Sequence, residues 1–175
     1  MNELRSEMKA KRSALSTDEV TALSTLITNR VLTLDLKDYN SVFIYRSFKN
    51  EVDTNRLIAY FLSQNKKLAY PVIKGDIMVA GAPKTSGENH SKFGTVEPTL
   101  YQELNDIDIC FVPLIATDKN KNRIGFGKGY YDKFLKTHPC LKIGLCYDFQ
   151  VVENITPNPW DIPLDIIVTE SKIIK

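Results

Sequence analysis

The chain has 175 residues, of which 43% are hydrophobic and 25% charged, and its net charge is +2. That length and apolar fraction suffice for one buried core, so residues 1–175 are expected to form a single domain. The near-balanced charge argues against a nucleic-acid partner, and no apolar run reaches the length of a membrane span.

The polar start of the chain lacks the apolar segment of a signal peptide. Cys110, Cys140 and Cys146 show no C-x-x-C spacing and make an odd count, which favours reduced, mostly buried thiols over disulfides or a metal site. A cytoplasmic protein is the expectation.

In chain order, residues 2–15 read as a helix with Leu4, Met8 and Leu15 on one face. Arg5, Lys9 and Arg12 recur along it as a basic stripe, which on spacing alone is a solvated face. Ser16-Thr17-Asp18-Glu19 has the form of a capping box and opens a second helix reaching about residue 34. Val20, Leu23, Ile27, Val31 and Leu34 form its core-facing stripe.

Residues 41–45 are a short β-rich run, followed by a loop over 46–53 and a helix over about 54–64. Residues 67–72 and 77–80 are the next strand candidates, and 84–92 is a polar loop containing Gly87, Asn89 and His90. His90 and His138 have no recognisable partner and read as solvated. Residues 108–113 form a buried strand, 118–122 a polar connection, and 142–146 and 166–168 the last strands. Strands alternating with helices predict a three-layer, Rossmann-like α/β fold with a mostly parallel sheet, in which ligands gather at the carboxyl ends of the strands. Glu51 lies in such a loop, although a surface carboxylate beside a helix start is the plain reading of it.

The most informative stretch is Arg123-Ile124-Gly125-Phe126-Gly127-Lys128-Gly129-Tyr130-Tyr131-Asp132. Glycines permit positive φ and close backbone approach, so several N–H groups can converge on one anion. Asp132-Lys133-Phe134-Leu135 continues without a breaker, which places a helix N-terminus behind the loop. Lys128 adds a compact positive charge and Arg123 a fork of donors, while Asp132 is a hard oxygen ligand suited to Mg²⁺ beside phosphates. The run is not a P-loop, because Lys128 is followed by Gly129 and Tyr130 rather than Ser or Thr. It is not a dinucleotide fingerprint either, since G-x-G-x-G follows a polar stretch rather than a strand. A phosphate-cradling loop is the reading, with a glycine-rich turn before a helix as the plain alternative.

The run R-I-G-F-G-K-G-Y-Y-D-K-F-L closely resembles the signature of the 5-formyltetrahydrofolate cyclo-ligases, also called 5,10-methenyltetrahydrofolate synthetases. The resemblance continues through Leu4-Arg5, Asn50-Glu51-Val52-Asp53-Thr54, Tyr70-Pro71, Val96-Glu97-Pro98, residues 108–113, Gln150, and Pro159-Trp160-Asp161-Ile162-Pro163-Leu164-Asp165. It implies an ATP- and Mg²⁺-dependent ligase that closes 5-formyltetrahydrofolate to 5,10-methenyltetrahydrofolate, releasing ADP and phosphate.

By the same resemblance ATP is held by Arg5, Lys9 and the run Arg123, Ile124, Gly125, Phe126, Gly127, Lys128, Gly129, Tyr130 and Tyr131. Folate meets Arg46, Glu51, Phe126, Gly127, Lys128, Gly129 and Tyr130; Arg123, Lys128 and Tyr131 are the catalytic candidates; and Asp132 with Asp161 holds the metal, Asp165 being the weaker choice. The chain departs from the family pattern at Met1, where a lysine is common, and at Asn122, where glycine is common. Asn tolerates the left-handed region, so that turn is expected to survive. A monomer binding folate and ATP, with neither nucleic acid nor membrane, is expected. A sugar-phosphate isomerase on a similar scaffold, or a non-catalytic nucleotide-binding module, would use the same glycine loop; only the cyclo-ligase requires both ligands for ADP release.

Overall fold

The computed structural model describes residues 1–92 and 94–175. In chain order its helices and strands are α1 (Asn2–Ser13), α2 (Thr17–Val31), β1 (Ser41–Phe43), α3 (Asn55–Ser63), β2 (Lys67–Lys74), β3 (Ile77–Pro83), β4 (Glu88–His90), β5 (Val96–Pro98), β6 (Tyr101–Glu103), β7 (Ile109–Pro113), β8 (Ala116–Asp118), β9 (Arg123–Ile124), α4 (Tyr130–Thr137), β10 (Leu141–Leu145), β11 (Val151–Val152), β12 (Ile166–Val168) and β13 (Ile173–Ile174).

The main sheet runs β13-β12-β10-β7-β1-β2-β3-β6. From β12 through β10, β7 and β1 to β2 every pair is parallel, and antiparallel partners close both edges. The expected mostly parallel sheet is present, and its strands show why. Val42 and Ile44 join one core with Ile109, Phe111, Ile143 and Leu145, whereas Phe43, Cys110 and Val112 join the core on the other face. Both faces are therefore apolar, as a parallel sheet covered on both sides requires. Ile27 and Val31 of α2, with Leu57 and Phe61 of α3, cover the first face; Phe134 and Leu135 of α4 cover the second. Of the predicted α2 stripe, Ile27 and Val31 are buried and Leu23 packs against them, while Val20 joins no core cluster and Leu34 packs on the core from beyond the helix end at Val31; the capping box is formed between Ser16 and Glu19.

The chain after β1 passes through α3 to β2 on one side, while β7 lies on the other side of β1. The loops leaving β1 and β7 therefore diverge, which opens a crevice at their carboxyl ends. Three features differ from the sequence expectations. Residues 84–92 are not wholly loop: β4 pairs with β5 to form a hairpin, Ser91 Oγ and Thr95 Oγ1 lying 2.7 Å apart just beyond its last strand pair. A small sheet, β11-β8-β9, forms around the polar connection, which is the turn between β8 and β9, so the first glycine follows the short strand Arg123–Ile124 rather than a polar stretch. His138 is half-buried, stacked 4.0 Å from the Phe134 ring and bonded to the Phe134 carbonyl, instead of being solvated. No helix among the described residues is long and apolar enough to cross a membrane. Cys110 and Cys146 are buried, Cys140 is partly so, and all three thiols are free.

Candidate active site

The glycine run leaves β9 and enters α4 through two residues with positive φ, Gly127 at +93° and Gly129 at +69°. Side chains rarely adopt such angles, so both positions need glycine. Gly129 caps α4 without a side-chain hydrogen bond, which leaves the first backbone N–H groups of that helix available to an anion. Lys128 is exposed and makes no hydrogen bond or ion pair among the described residues.

Helix α1 lies across this loop. Met8 seats it against Ile115, Ala116, Ile124 and Ile155, with Leu4 alongside. That packing turns the basic stripe toward the glycines, with Lys9 still exposed to solvent. Arg5 Nε donates to the Gly125 carbonyl at 2.9 Å, and its guanidinium lies beside Gly127. Lys9 Nζ is 5.4 Å and the Arg12 guanidinium 5.6 Å from the centre of the exposed Phe126 ring. The structure thus brings Arg5, Lys9 and residues 125–129 together.

Arg123 is placed differently from an outward fork. Its side chain is 3% exposed and pairs with Asp132 Oδ1 at 2.8 Å, while its Nε is buried without a partner among the described residues. Asp132 Oδ1 also accepts from Ile162 N–H at 3.1 Å, so residues 161–162 lie against Asp132. Asp161 Oδ2 accepts from the Asn158 N–H and side-chain amide. Asp165 is engaged elsewhere, by Lys142 Nζ and N–H. Asn122 corrects an expectation: the left-handed residue of its turn is Lys121, at φ 65°. Asn122 instead donates its N–H and amide to the two oxygens of buried Asp118, a pairing that glycine could make only in part.

Behind the glycine loop, the loop leaving β1 is held from several directions. Thr54 Oγ1 donates to the Tyr45 carbonyl, Tyr45 to the Val52 carbonyl, and Tyr147 to the Asn50 carbonyl. Asn50 Nδ2 donates to the Arg12 and Leu15 carbonyls at the end of α1. Lys49 and Asn50 both have positive φ, and the turn closes with Phe48 N–H donating to Glu51 Oε2 at 2.9 Å. Glu51 is consequently 7% exposed rather than a surface carboxylate. Burial pushes its carboxyl up to about 7, against the pull of Arg12 and the Phe48 N–H. Tyr131 faces the same region with its hydroxyl buried and without a partner among the described residues; burial, reinforced by Cys110 and Glu51, pushes that phenol well above its ordinary range.

Arg46, on the same loop, stacks 4.5 Å from the Tyr70 ring and pairs with Glu88 of β4. Beyond it lies a cavity of ≈ 630 Å³ lined by Leu62, Leu68, Tyr70, Glu88 and Gln102, among others. Two contributors had no distinct signal in the sequence: Arg12 reads there as one of three stripe cations, and Tyr147 follows the strand at 142–146 with no mark of its own. Gln150 belonged to the family resemblance, but nothing along the chain gave its role. In the structure Gln150 is buried and ties the Leu114 and Ile115 carbonyls to Tyr147 N–H, which fixes the exit from β7.

Among the described residues no three His, Cys, Asp or Glu side chains cluster closely enough to cage a metal by themselves. Asp132 and Asp161 are hard oxygen donors on adjoining segments, a set that suits Mg²⁺ held by one or two carboxylates plus substrate phosphates.

The arrangement has known counterparts. A 5-formyltetrahydrofolate cyclo-ligase of Haemophilus influenzae is 32% identical over 95% of this chain and 96% of its own length. One from Mycoplasma genitalium is 34% identical, again over 95% of this chain and 96% of its own. The solved structure of an Aquifex aeolicus 5,10-methenyltetrahydrofolate synthetase superposes with a TM-score of 0.88 at 35% identity, covering 98% of this chain and 90% of that one. A Mycoplasma pneumoniae 5,10-methenyltetrahydrofolate synthetase gives 0.81 at 28% identity, with 97% and 98% covered. The sequence model of the 5-formyltetrahydrofolate cyclo-ligase family matches residues 1–170, and the chain belongs to that family.

Proposed function

We propose that this chain is a 5-formyltetrahydrofolate cyclo-ligase, converting 5-formyltetrahydrofolate and ATP to 5,10-methenyltetrahydrofolate, ADP and phosphate. The observation that carries this is the juxtaposition of an open, cation-flanked glycine loop with a buried carboxylate at the carboxyl end of β1. The first suits a triphosphate and the second a polar ring whose N–H groups need an acceptor.

In the proposed reaction the oxygen of the N5-formyl group attacks the γ-phosphorus, and ADP leaves. N10 then attacks the activated formyl carbon, loses its proton, and the former formyl oxygen departs within inorganic phosphate. No side-chain nucleophile is needed, so the chain's contribution is positioning and charge neutralisation. Arg5, Lys9 and the N–H groups of residues 125–129 bind the phosphates, and Lys128 is free to follow the transferring phosphoryl group. Arg123, anchored by Asp132, sets the field beneath them. Glu51 accepts from the pterin, with Arg46 on the same loop, Phe126 to Tyr130 against the substrate, and the Tyr131 hydroxyl facing the reacting region. The cavity beyond Arg46 accommodates the rest of the folate. Asp132 and Asp161 would hold Mg²⁺ together with the nucleotide, where it would neutralise phosphate charge. In this proposal the chain acts as a monomer on soluble ligands.

The test is to follow methenyl-folate absorbance and ADP release with both ligands and with each omitted. Product formation and ADP release that both require folate and ATP support the reading. ADP release without folate would indicate a different phosphate-handling enzyme, and nucleotide binding without turnover a binding module.

A further inference from the structure

Arg12 is 4% exposed, its guanidinium donates no hydrogen bond to any described residue and forms no ion pair, and its nitrogens are not among the fully buried polar atoms, so the fork keeps a narrow access to solvent. A charged fork without a protein partner is one that native structures fill with water or ligand. The side chain stays in place because its backbone is fixed: the Arg12 carbonyl accepts from Asn50 Nδ2, which ties it to the Glu51 loop. Its head lies 5.6 Å from the Phe126 ring centre and faces Glu51, whose ionised form it favours without touching it. The carboxylate and the guanidinium thus face one another without an ion pair between them, beside Phe126 of the glycine loop, one ready to accept hydrogen bonds and the other to donate them.

That pairing has a chemical complement in the head group of the proposed substrate, so this inference rests on the cyclo-ligase reading. The pyrimidine edge of a pterin offers a 2-amino group and a ring N–H as donors, and beside them a 4-carbonyl oxygen that accepts. We propose that Arg12 is a substrate-binding residue that donates to the 4-carbonyl of the folate while Glu51 accepts from the neighbouring N–H groups. A carboxylate alone cannot distinguish a 4-oxo pteridine from a 4-amino one, because both present donors to it. A guanidinium beside it accepts only the oxo form, since a 4-amino group leaves its donors facing donors. Arg12 accordingly sets which 4-substituent the entering pteridine carries, and Glu51 only that a pteridine enters.

The experiment compares binding of 5-formyltetrahydrofolate with its 4-amino-4-deoxy counterpart by calorimetric titration in wild-type protein, Arg12→Met and Arg12→Lys. A site built around a hydrogen-bonded oxygen should favour the 4-oxo ligand by ~10-fold or more. Arg12→Met, apolar at a buried position, should bring the two affinities to within ~3-fold by weakening only the 4-oxo ligand. Arg12→Lys keeps a donor without the fork and should fall between, and it carries the test if the methionine variant does not fold. Equal weakening of both ligands, or a preserved preference in both variants, would overturn the assignment while leaving the function untouched. Failure of the wild-type protein to bind either pteridine would remove the folate reading and this inference together.

Discussion

The two halves of the candidate site are built on opposite principles. The half proposed for nucleotide is open: Lys128, Phe126 and Gly127 are exposed, and the cations around them remain solvated until a ligand arrives. The half proposed for the pterin is closed, with Glu51 and Arg12 each less than a tenth exposed and the Tyr131 hydroxyl buried without a partner among the described residues. An exposed cation costs the empty protein little, whereas a buried carboxylate raised to about 7 destabilises it whenever ionised. The contrast teaches where preorganisation is stored: in the pterin half, held by Asn50, Tyr147 and the Phe48 turn, and not in the phosphate loop.

The largest effect should come from the open half. Lys128→Ala removes one preorganised charge and should lower kcat by ~10²–10³-fold, with a near-normal melting temperature because Lys128 supports no packing. Steady-state kinetics at saturating ATP beside a thermal melt check both parts. Most activity surviving would mean the loop is no phosphate clamp.

Glu51→Gln probes the closed half and should move affinity and stability in opposite directions. Folate binding should weaken at least ~10-fold, equivalent to about 1.4 kcal/mol, while ATP affinity stays unchanged. Stability should rise. The folded carboxyl titrates near 7 and the unfolded one near 4.5, so between those values the folded state binds more protons. Wild-type stability therefore falls as pH rises through that window and stays lower above it, a penalty that Gln does not carry. Melts of the ligand-free proteins should show the variant's advantage at pH 8 and its disappearance near pH 4. An advantage of equal size at both pH values would break the distinction between the halves.

Asp132→Asn lies where the halves meet. It should raise the Mg²⁺ concentration needed for turnover several-fold and lower the melting temperature modestly, because Arg123 loses its charged partner, a hydrogen bond to a charged group contributing about 1.5–3 kcal/mol. A magnesium titration of initial rate checks the first effect, and an unchanged requirement would take Asp132 out of the metal site. The smallest effect should belong to Asn122→Gly, which gives up only the amide bond to Asp118. Its expected cost is about 0.5–1.5 kcal/mol in denaturant titration, with KM for both ligands unchanged.

Much of this was legible in the sequence because it is local. The α2 stripe, its capping box, the apolar strands and the glycines of residues 125–129 are each determined by spacing and backbone preference within a few residues. Local pattern is weaker where a short polar stretch finds a distant partner. The residue 84–92 segment became half of a hairpin only because residues 96–98 lie opposite it, and His138 found a stacking partner one turn away.

The sequence by itself determined the parallel sheet, the phosphate-cradling run and the family resemblance, since period, glycine and residue order are properties of a chain read along its length. Tertiary structure alone decided the rest. Arg12 reads in sequence like Arg5 and Lys9, and becomes a largely enclosed side chain whose guanidinium has no hydrogen-bond partner among the described residues only because Met8 seats α1 on the small sheet and Asn50 holds its last turn. Glu51 reads as a surface carboxylate, and its raised affinity for a proton arises from the turn that folds it inward beneath residues some 80 positions later in the chain. Burial is a sum over contacts from the whole fold, and the protonation and hydrogen-bonding state of these side chains follows from burial.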